Sequence, residues 1–128
     1  MNDFNMLYKV ASESAEKAYA PYSNFKVGAA LLSKSGDVFS GCNIENASYS
    51  LTCCAERVAI FKAVSSGVTE FKTFVITSNT SEPISPCGAC RQVMSEFFDD
   101  SVITVLTNNK QVKKELSIQE LLPYSFNL

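Results

Sequence analysis

The chain has 128 residues, 46% of them apolar, and a formal net charge of -2 from 11 basic and 13 acidic side chains, with a pI near 5.1. Length and apolar content suit one domain over residues 1–128 with a core of its own. The spread-out positive charges argue against a nucleic-acid surface, which shows as a basic stripe. No apolar run is long enough to span a bilayer. The start, Met1-Asn2-Asp3-Phe4, lacks the basic run and apolar block of a signal peptide. A cytoplasmic protein with no membrane partner is the expectation.

Five cysteines is an odd count, which with no secretion signal points away from a disulfide framework and toward metal or thiol chemistry. Histidine is absent, so no imidazole base and no Ser-His or Cys-His nucleophile is available. Acid–base work falls to Glu, Asp, Lys, Tyr or Cys. The only arginines are Arg57 and Arg91.

Residues 2–19 read as an amphipathic helix, with Phe4, Leu7, Tyr8, Ala11, Ala15 and Ala18 at helical spacing and Pro21 as its stop. Phe25–Leu32 and Val38–Ile44 read as strands joined by the turn residues Ser35-Gly36-Asp37. Small residues at Gly28, Ala29 and Ala30 leave room for close packing on the first of them. Residues 45–52 form a polar loop. A helix follows from about Cys53 to Ser66, with Thr52 as N-cap and Gly67 as stop. Its apolar middle, Val58 to Val64, predicts burial on nearly every side. Phe71–Thr77 and Val102–Thr107 are β-branched and aromatic runs typical of strands covered on both faces. Between them lie a loop, Ser78–Pro86, and a helix beginning near Cys87, with Cys90, Val93, Met94 and Phe97 inward. Ser117–Leu122 reads as a short last helix before the aromatic tail Pro123-Tyr124-Ser125-Phe126. This order predicts an α/β fold, a three-layer α/β/α sandwich around a mixed sheet of about five strands.

Two stretches carry chemistry, Cys54-Ala55-Glu56 and Pro86-Cys87-Gly88-Ala89-Cys90. Both fall at strand-to-helix junctions, where open α/β sheets place their sites. Cys87 and Cys90 on one helical turn can chelate jointly, and Cys54 can complete a trio that leaves the fourth zinc position open. Helix N-termini help hold the sulfurs as thiolates. Three thiolates on one dication leave a charge of -1, which Arg57 and Arg91 are placed to offset by donating toward sulfur. A redox dithiol and a closed four-cysteine structural site that includes Cys53 are the alternatives. Adjacent helical residues point about 100° apart, which sets Cys53 against sharing a metal with Cys54. Neither alternative gives Glu56 a task. Cys42 reads as a packing residue.

The spaced pair C-A-E and P-C-G-A-C resembles the signature of zinc nucleobase deaminases. Ala20-Pro21-Tyr22-Ser23-Asn24-Phe25-Lys26-Val27-Gly28-Ala29-Ala30, Gly41-Cys42-Asn43-Ile44-Glu45-Asn46 and Ser85 through Gln92 extend it. Together they resemble the short homotetrameric cytidine deaminases over essentially the whole chain. That resemblance implies one zinc per chain on Cys54, Cys87 and Cys90, and hydrolytic deamination of cytidine and 2′-deoxycytidine in pyrimidine salvage. It implies that zinc-bound hydroxide attacks C4 while Glu56 shuttles protons. It also implies that Phe25 lines the pyrimidine pocket, that Ala55 is among the substrate-binding residues, that Asn43 and Glu45 bind the ribose 3′-hydroxyl, and that Tyr49 and Phe126 contribute to a neighbouring subunit's site. A carboxylate at the 3′-hydroxyl repels a 3′-phosphate, which favours a free nucleoside over a polynucleotide. A deaminase of other aminonucleosides, a polynucleotide editor and a non-catalytic zinc module stand as rival readings.

Overall fold

The computed structural model describes residues 3–128, so the expected helix start at residue 2 lies outside the described residues. The elements are α1 (Asp3–Glu16), β1 (Val27–Ser33), β2 (Val38–Cys42), α2 (Ala55–Ser65), β3 (Phe71–Ser78), α3 (Gly88–Phe97), β4 (Ile103–Leu106), β5 (Lys114–Leu116) and α4 (Ile118–Leu121). A 3-10 turn at Tyr49–Leu51 interrupts the polar loop before α2. No described helix is long and apolar enough to cross a membrane.

The strands form one mixed sheet in the order β2-β1-β3-β4-β5. Among the described strands, β3 and β4 are the parallel pair, across the connection that carries α3. The β1–β2, β1–β3 and β4–β5 pairs are antiparallel. Side chains alternate across the sheet with period two. Val27, Ala29 and Leu31 of β1 join Phe74 and Ile76 of β3 in the core under α2 and α3. Ala30, Leu32, Val75 and Val105 face the other way and meet Phe4, Leu7 and Ala11 of α1. A sheet buried on both faces is the expected three-layer sandwich.

Strand β5 has no counterpart in the sequence reading. Lys114-Glu115-Leu116 is short and mostly polar, and it pairs through its backbone with Thr104–Leu106 at the sheet edge. A polar three-residue edge strand leaves no hydrophobic alternation to read. The α2 helix also corrects two expectations. Its N-cap is Cys54 rather than Thr52; Thr52 Oγ1 instead accepts from the Asn46 amide at 3.1 Å. Its burial is one-sided, with Phe61 47% exposed, because an outer layer has no further layer on its far face.

Two glycines set how closely the outer layers approach. A Cβ on Gly28 would lie 1.9 Å from the Ala11 carbonyl oxygen of α1, so α1 occupies the room that the small residues of β1 leave. On β2, a Cβ at Gly41 would lie 2.4 Å from the Ala55 carbonyl oxygen and 2.6 Å from the Ala59 amide nitrogen. These backbone atoms cannot swing aside as a side chain could. Gly41→Ala is therefore expected to destabilise the fold by about 1–3 kcal/mol, the usual range for overpacking, and to lower zinc affinity as the start of α2 is pushed outward. Denaturant unfolding and zinc titration of the variant measure both effects.

Candidate active site

Residue 44 connects the sheet edge to the start of α2. Ile44 and Cys53 exchange amide hydrogen bonds of 2.9 Å in both directions, an isolated antiparallel bridge that delivers Cys54 to the helix start. Cys87 caps α3 in the same way that Cys54 caps α2. Cys90 lies one turn into α3 and is fully buried. Two helix N-termini thus converge, each with its partial positive charge turned toward sulfur.

The sulfurs of Cys54, Cys87 and Cys90 all lie within 4.8 Å of one another, the one such group of three or more possible ligands among the described residues. Cys54 Sγ is 3.9 Å from Cys87 Sγ, and Cys87 Sγ is 3.5 Å from Cys90 Sγ. A tetrahedral zinc with bonds of about 2.3 Å sets its sulfurs roughly 3.8 Å apart. The trio therefore fits one zinc ion. Cys53 is turned out of the group, as expected for adjacent residues, and burial raises its thiol pKa. The proton inventory agrees with a shared site. A hydrogen bond from Cys90, with the Arg57 guanidinium assisting, brings the Cys54 thiol down to about 5. That same hydrogen bond to Cys54, together with burial, pushes the Cys90 thiol up.

Glu56 is 3% exposed, and its Oε1 is buried without a hydrogen-bond partner. Burial pushes the carboxyl up to about 7, its own backbone amide opposing and the Cys54 sulfur adding to the rise. A buried, unpartnered carboxylate oxygen is costly in a resting core. Here it borders a thiol trio that accommodates a cation.

The two arginines part company. Arg57 Nη2 lies 3.6 Å from Cys54 Sγ and 3.4 Å from the Thr52 carbonyl oxygen. Arg91 corrects the expectation that both donate to sulfur. Its Nε donates to the Pro86 carbonyl at 2.8 Å and its Nη1 to the Leu121 carbonyl at 2.6 Å. It braces the loop ahead of Cys87 against the end of α4, so its contact with the site runs through backbone.

Of the remaining residues named from the sequence, Glu45 and Tyr49 line one pocket. Ala55 is fully buried between Cys54 and Glu56, and Phe25 is half-buried against the core. The side chain of Asn43, itself buried, accepts from the Val27 amide at 2.9 Å and donates to the Phe25 carbonyl at 2.7 Å. Glu45 Oε1 accepts from the amides of Tyr22 and Ser23 at 3.0 and 3.2 Å. Asn43 and Glu45 thus both turn toward residues 22–27, although β2 has ended at Cys42. A pocket of about 300 Å³ is lined by Tyr22, Ser23, Glu45, Tyr49 and Thr52, and adjoins the thiols through Thr52 and Arg57. Tyr49 and Phe126 are 82% and 69% exposed. The Phe126 carbonyl accepts from Gln92 Nε2 at 3.2 Å, which ties the tail to α3. Sequence reasoning gave no task to Ser23 or Tyr22; their place in the turn before Phe25 was the available signal.

Comparison with known proteins decides which chemistry such a site belongs to. A family model described as the cytidine and deoxycytidylate deaminase zinc-binding region matches residues 1–106. The chain belongs to this deaminase family. A cytidine deaminase of Sporosarcina psychrophila is 50% identical over 125 residues, covering 98% of this chain and 92% of that protein. The crystal structure of a cytidine deaminase from Burkholderia pseudomallei superposes with a TM-score of 0.93 at 49% identity, covering 98% of this chain and all of that one. A cytidine deaminase structure from Mycobacterium tuberculosis gives 0.85 at 36% identity, with both chains fully covered. The thiol trio is consistent with the zinc site of this family, on an α/β deaminase fold.

Arg57→Gln is expected to weaken zinc binding by about tenfold to a hundredfold, the usual effect of removing a side chain that supports a metal ligand. Competition with a metal-binding dye checks this. Unchanged zinc affinity and turnover would remove Arg57 from the site's electrostatics.

Proposed function

We propose that the chain is a hydrolase acting as one catalytic domain over residues 1–128. It deaminates cytidine and 2′-deoxycytidine to uridine and 2′-deoxyuridine and releases ammonia. The observation that carries this reading is the buried Glu56 carboxylate, one oxygen of it without a partner, beside three sulfurs spaced for one zinc. Cys54, Cys87 and Cys90 would hold the ion. Zinc, when bound, supplies Lewis acidity that makes water acidic enough to lose a proton near neutral pH.

Glu56 accepts that proton and gives it to N3 of the pyrimidine; it then carries the remaining proton of the added C4 hydroxyl to the amine, so that the C4–N bond breaks, ammonia leaves and the C4 carbonyl forms. Burial keeps bulk water from competing for it. Phe25 and Ala55 bound the base. Glu45 and Asn43 face the ribose, where Glu45 accepts the 3′-hydroxyl proton and repels a 3′-phosphate. That repulsion, with an acidic pI of 5.1, separates a nucleoside enzyme from a polynucleotide editor. The highly exposed Tyr49 and Phe126 complete neighbouring sites in a homotetramer, which supports a reading in which sites are shared between subunits. Such an enzyme works in the cytoplasm, in pyrimidine salvage.

Glu56→Gln is expected to keep about one zinc per chain while turnover falls by about 10²–10⁴, the usual worth of a positioned proton carrier. Metal analysis and ammonia release from cytidine measure the two, with free cytosine, blasticidin-like nucleosides and oligonucleotides as competing substrates. A Glu56→Gln variant with native turnover would sink the mechanism, and a zinc-loaded wild type inert toward cytidine would sink the substrate assignment.

A further inference from the structure

The turn between α1 and β1 is fastened more heavily than a connection requires. The Asn24 amide closes onto the Ala20 carbonyl at 3.0 Å, and Asn24 itself sits at φ 58. That left-handed conformation is uncommon outside glycine, although Asn tolerates it better than most residues. Asn79 grips the turn from the end of β3, accepting from the Lys26 amide at 3.3 Å and donating to the Asn24 carbonyl at 3.4 Å. Ser23 lies at the centre. Its Oγ accepts from the Phe25 amide at 3.0 Å and donates to Glu45 Oε2.

Resting on the nucleoside reading above, we propose that Ser23 is a positioning residue whose hydroxyl couples Glu45 to Phe25, so that the ribose acceptor and the base wall are held as one unit. The hydrogen-bond count supports it. An ionised carboxylate offers about four acceptor sites. The amides of Tyr22 and Ser23 occupy two on Oε1, and the Ser23 hydroxyl occupies one on Oε2. About one site remains, enough for a single sugar hydroxyl and too few for a diol clamp. Recognition at Glu45 is then monodentate, and the 2′-hydroxyl makes no demand on it. The same contacts favour the ionised form: the Ser23 hydroxyl, ahead of the two amides, holds the Glu45 carboxyl below the usual glutamate range.

The test is a double-mutant cycle on the zinc-loaded enzyme. Ser23→Ala is expected to raise KM for cytidine about threefold to tenfold, the worth of one hydrogen bond, with kcat within about twofold. KM for 2′-deoxycytidine should rise by the same factor, Ser23→Thr should restore both, and Ser23→Ala should add nothing in a Glu45→Ala background. An unchanged KM, or the same rise with Glu45 already removed, overturns the coupling. NMR titration of the Glu45 carboxyl is the readout independent of turnover. Ser23→Ala should move its midpoint up toward an ordinary glutamate, and an unmoved midpoint overturns the clamp. Wild-type enzyme inert toward cytidine, with that midpoint still shifting, would remove the nucleoside reading and leave the clamp standing.

Discussion

Three sulfurs within 4.8 Å of one another, with Cys90 buried and Cys54 and Cys87 nearer the surface, form an arrangement that is costly once the thiols ionise. Thiolates at that separation repel strongly in a medium less polarisable than water. The fold supplies compensation from its backbone before any metal is considered. Cys54 and Cys87 each cap a helix, so the partial positive ends of α2 and α3 point into the cluster. Arg57 adds a full positive charge against Cys54. Much of the architecture follows from bringing two helix starts to one point. The β1–β2 hairpin returns the chain so that α2 begins beside the sheet, and the parallel β3–α3–β4 unit starts α3 at the same end.

Closeness at that point depends on side chains that are missing. Gly41 lets the backbone of Ala55 lie where a methyl group would otherwise stand, and Gly28 does the same for α1 on the opposite face. These contacts are backbone against backbone and leave little slack. The thiols and Glu56 are consequently held by packed secondary structure, whereas the wall facing the proposed sugar is held by polar clips. Asn43, Glu45 and Asn79 each fasten the 22–27 segment. A wall ordered in advance loses less entropy when a ligand arrives. The reacting centre and the binding wall are therefore made rigid by different means, close packing for one and hydrogen bonds for the other.

The outward surface has a different character. Tyr19, Tyr22, Ile44, Tyr49 and Leu51 are exposed, Tyr22 and Tyr49 of them on the pocket that Glu45 lines, and Phe61 is exposed on the far face of α2. The sequence pattern of α2, apolar on nearly every side, is only half used by one copy of the chain. Clustered exposed aromatic and aliphatic groups are expensive to leave in water, and the proposed assembly would cover them.

Much of this was legible in the sequence because the strongest signals are local. The thiol spacing, the Glu56 carboxylate two residues beyond Cys54 in a chain without histidine, and the β-branched runs of β3 and β4 are each read from the chain directly. What sequence could not settle involves partners distant along the chain. Arg57 and Arg91 look equivalent, each one residue beyond a motif, yet Arg57 meets a sulfur while Arg91 meets the carbonyls of Pro86 and Leu121. Thr52 is a good helix cap by type, but the Ile44–Cys53 bridge holds the chain extended and passes that place to Cys54. Strand β5 exists only because β4 offers its edge. Ser23 is an ordinary turn residue until the fold sets it between Phe25 and Glu45. The residue types and their spacing determined which chemistry was possible; three-dimensional proximity alone decided which polar groups meet.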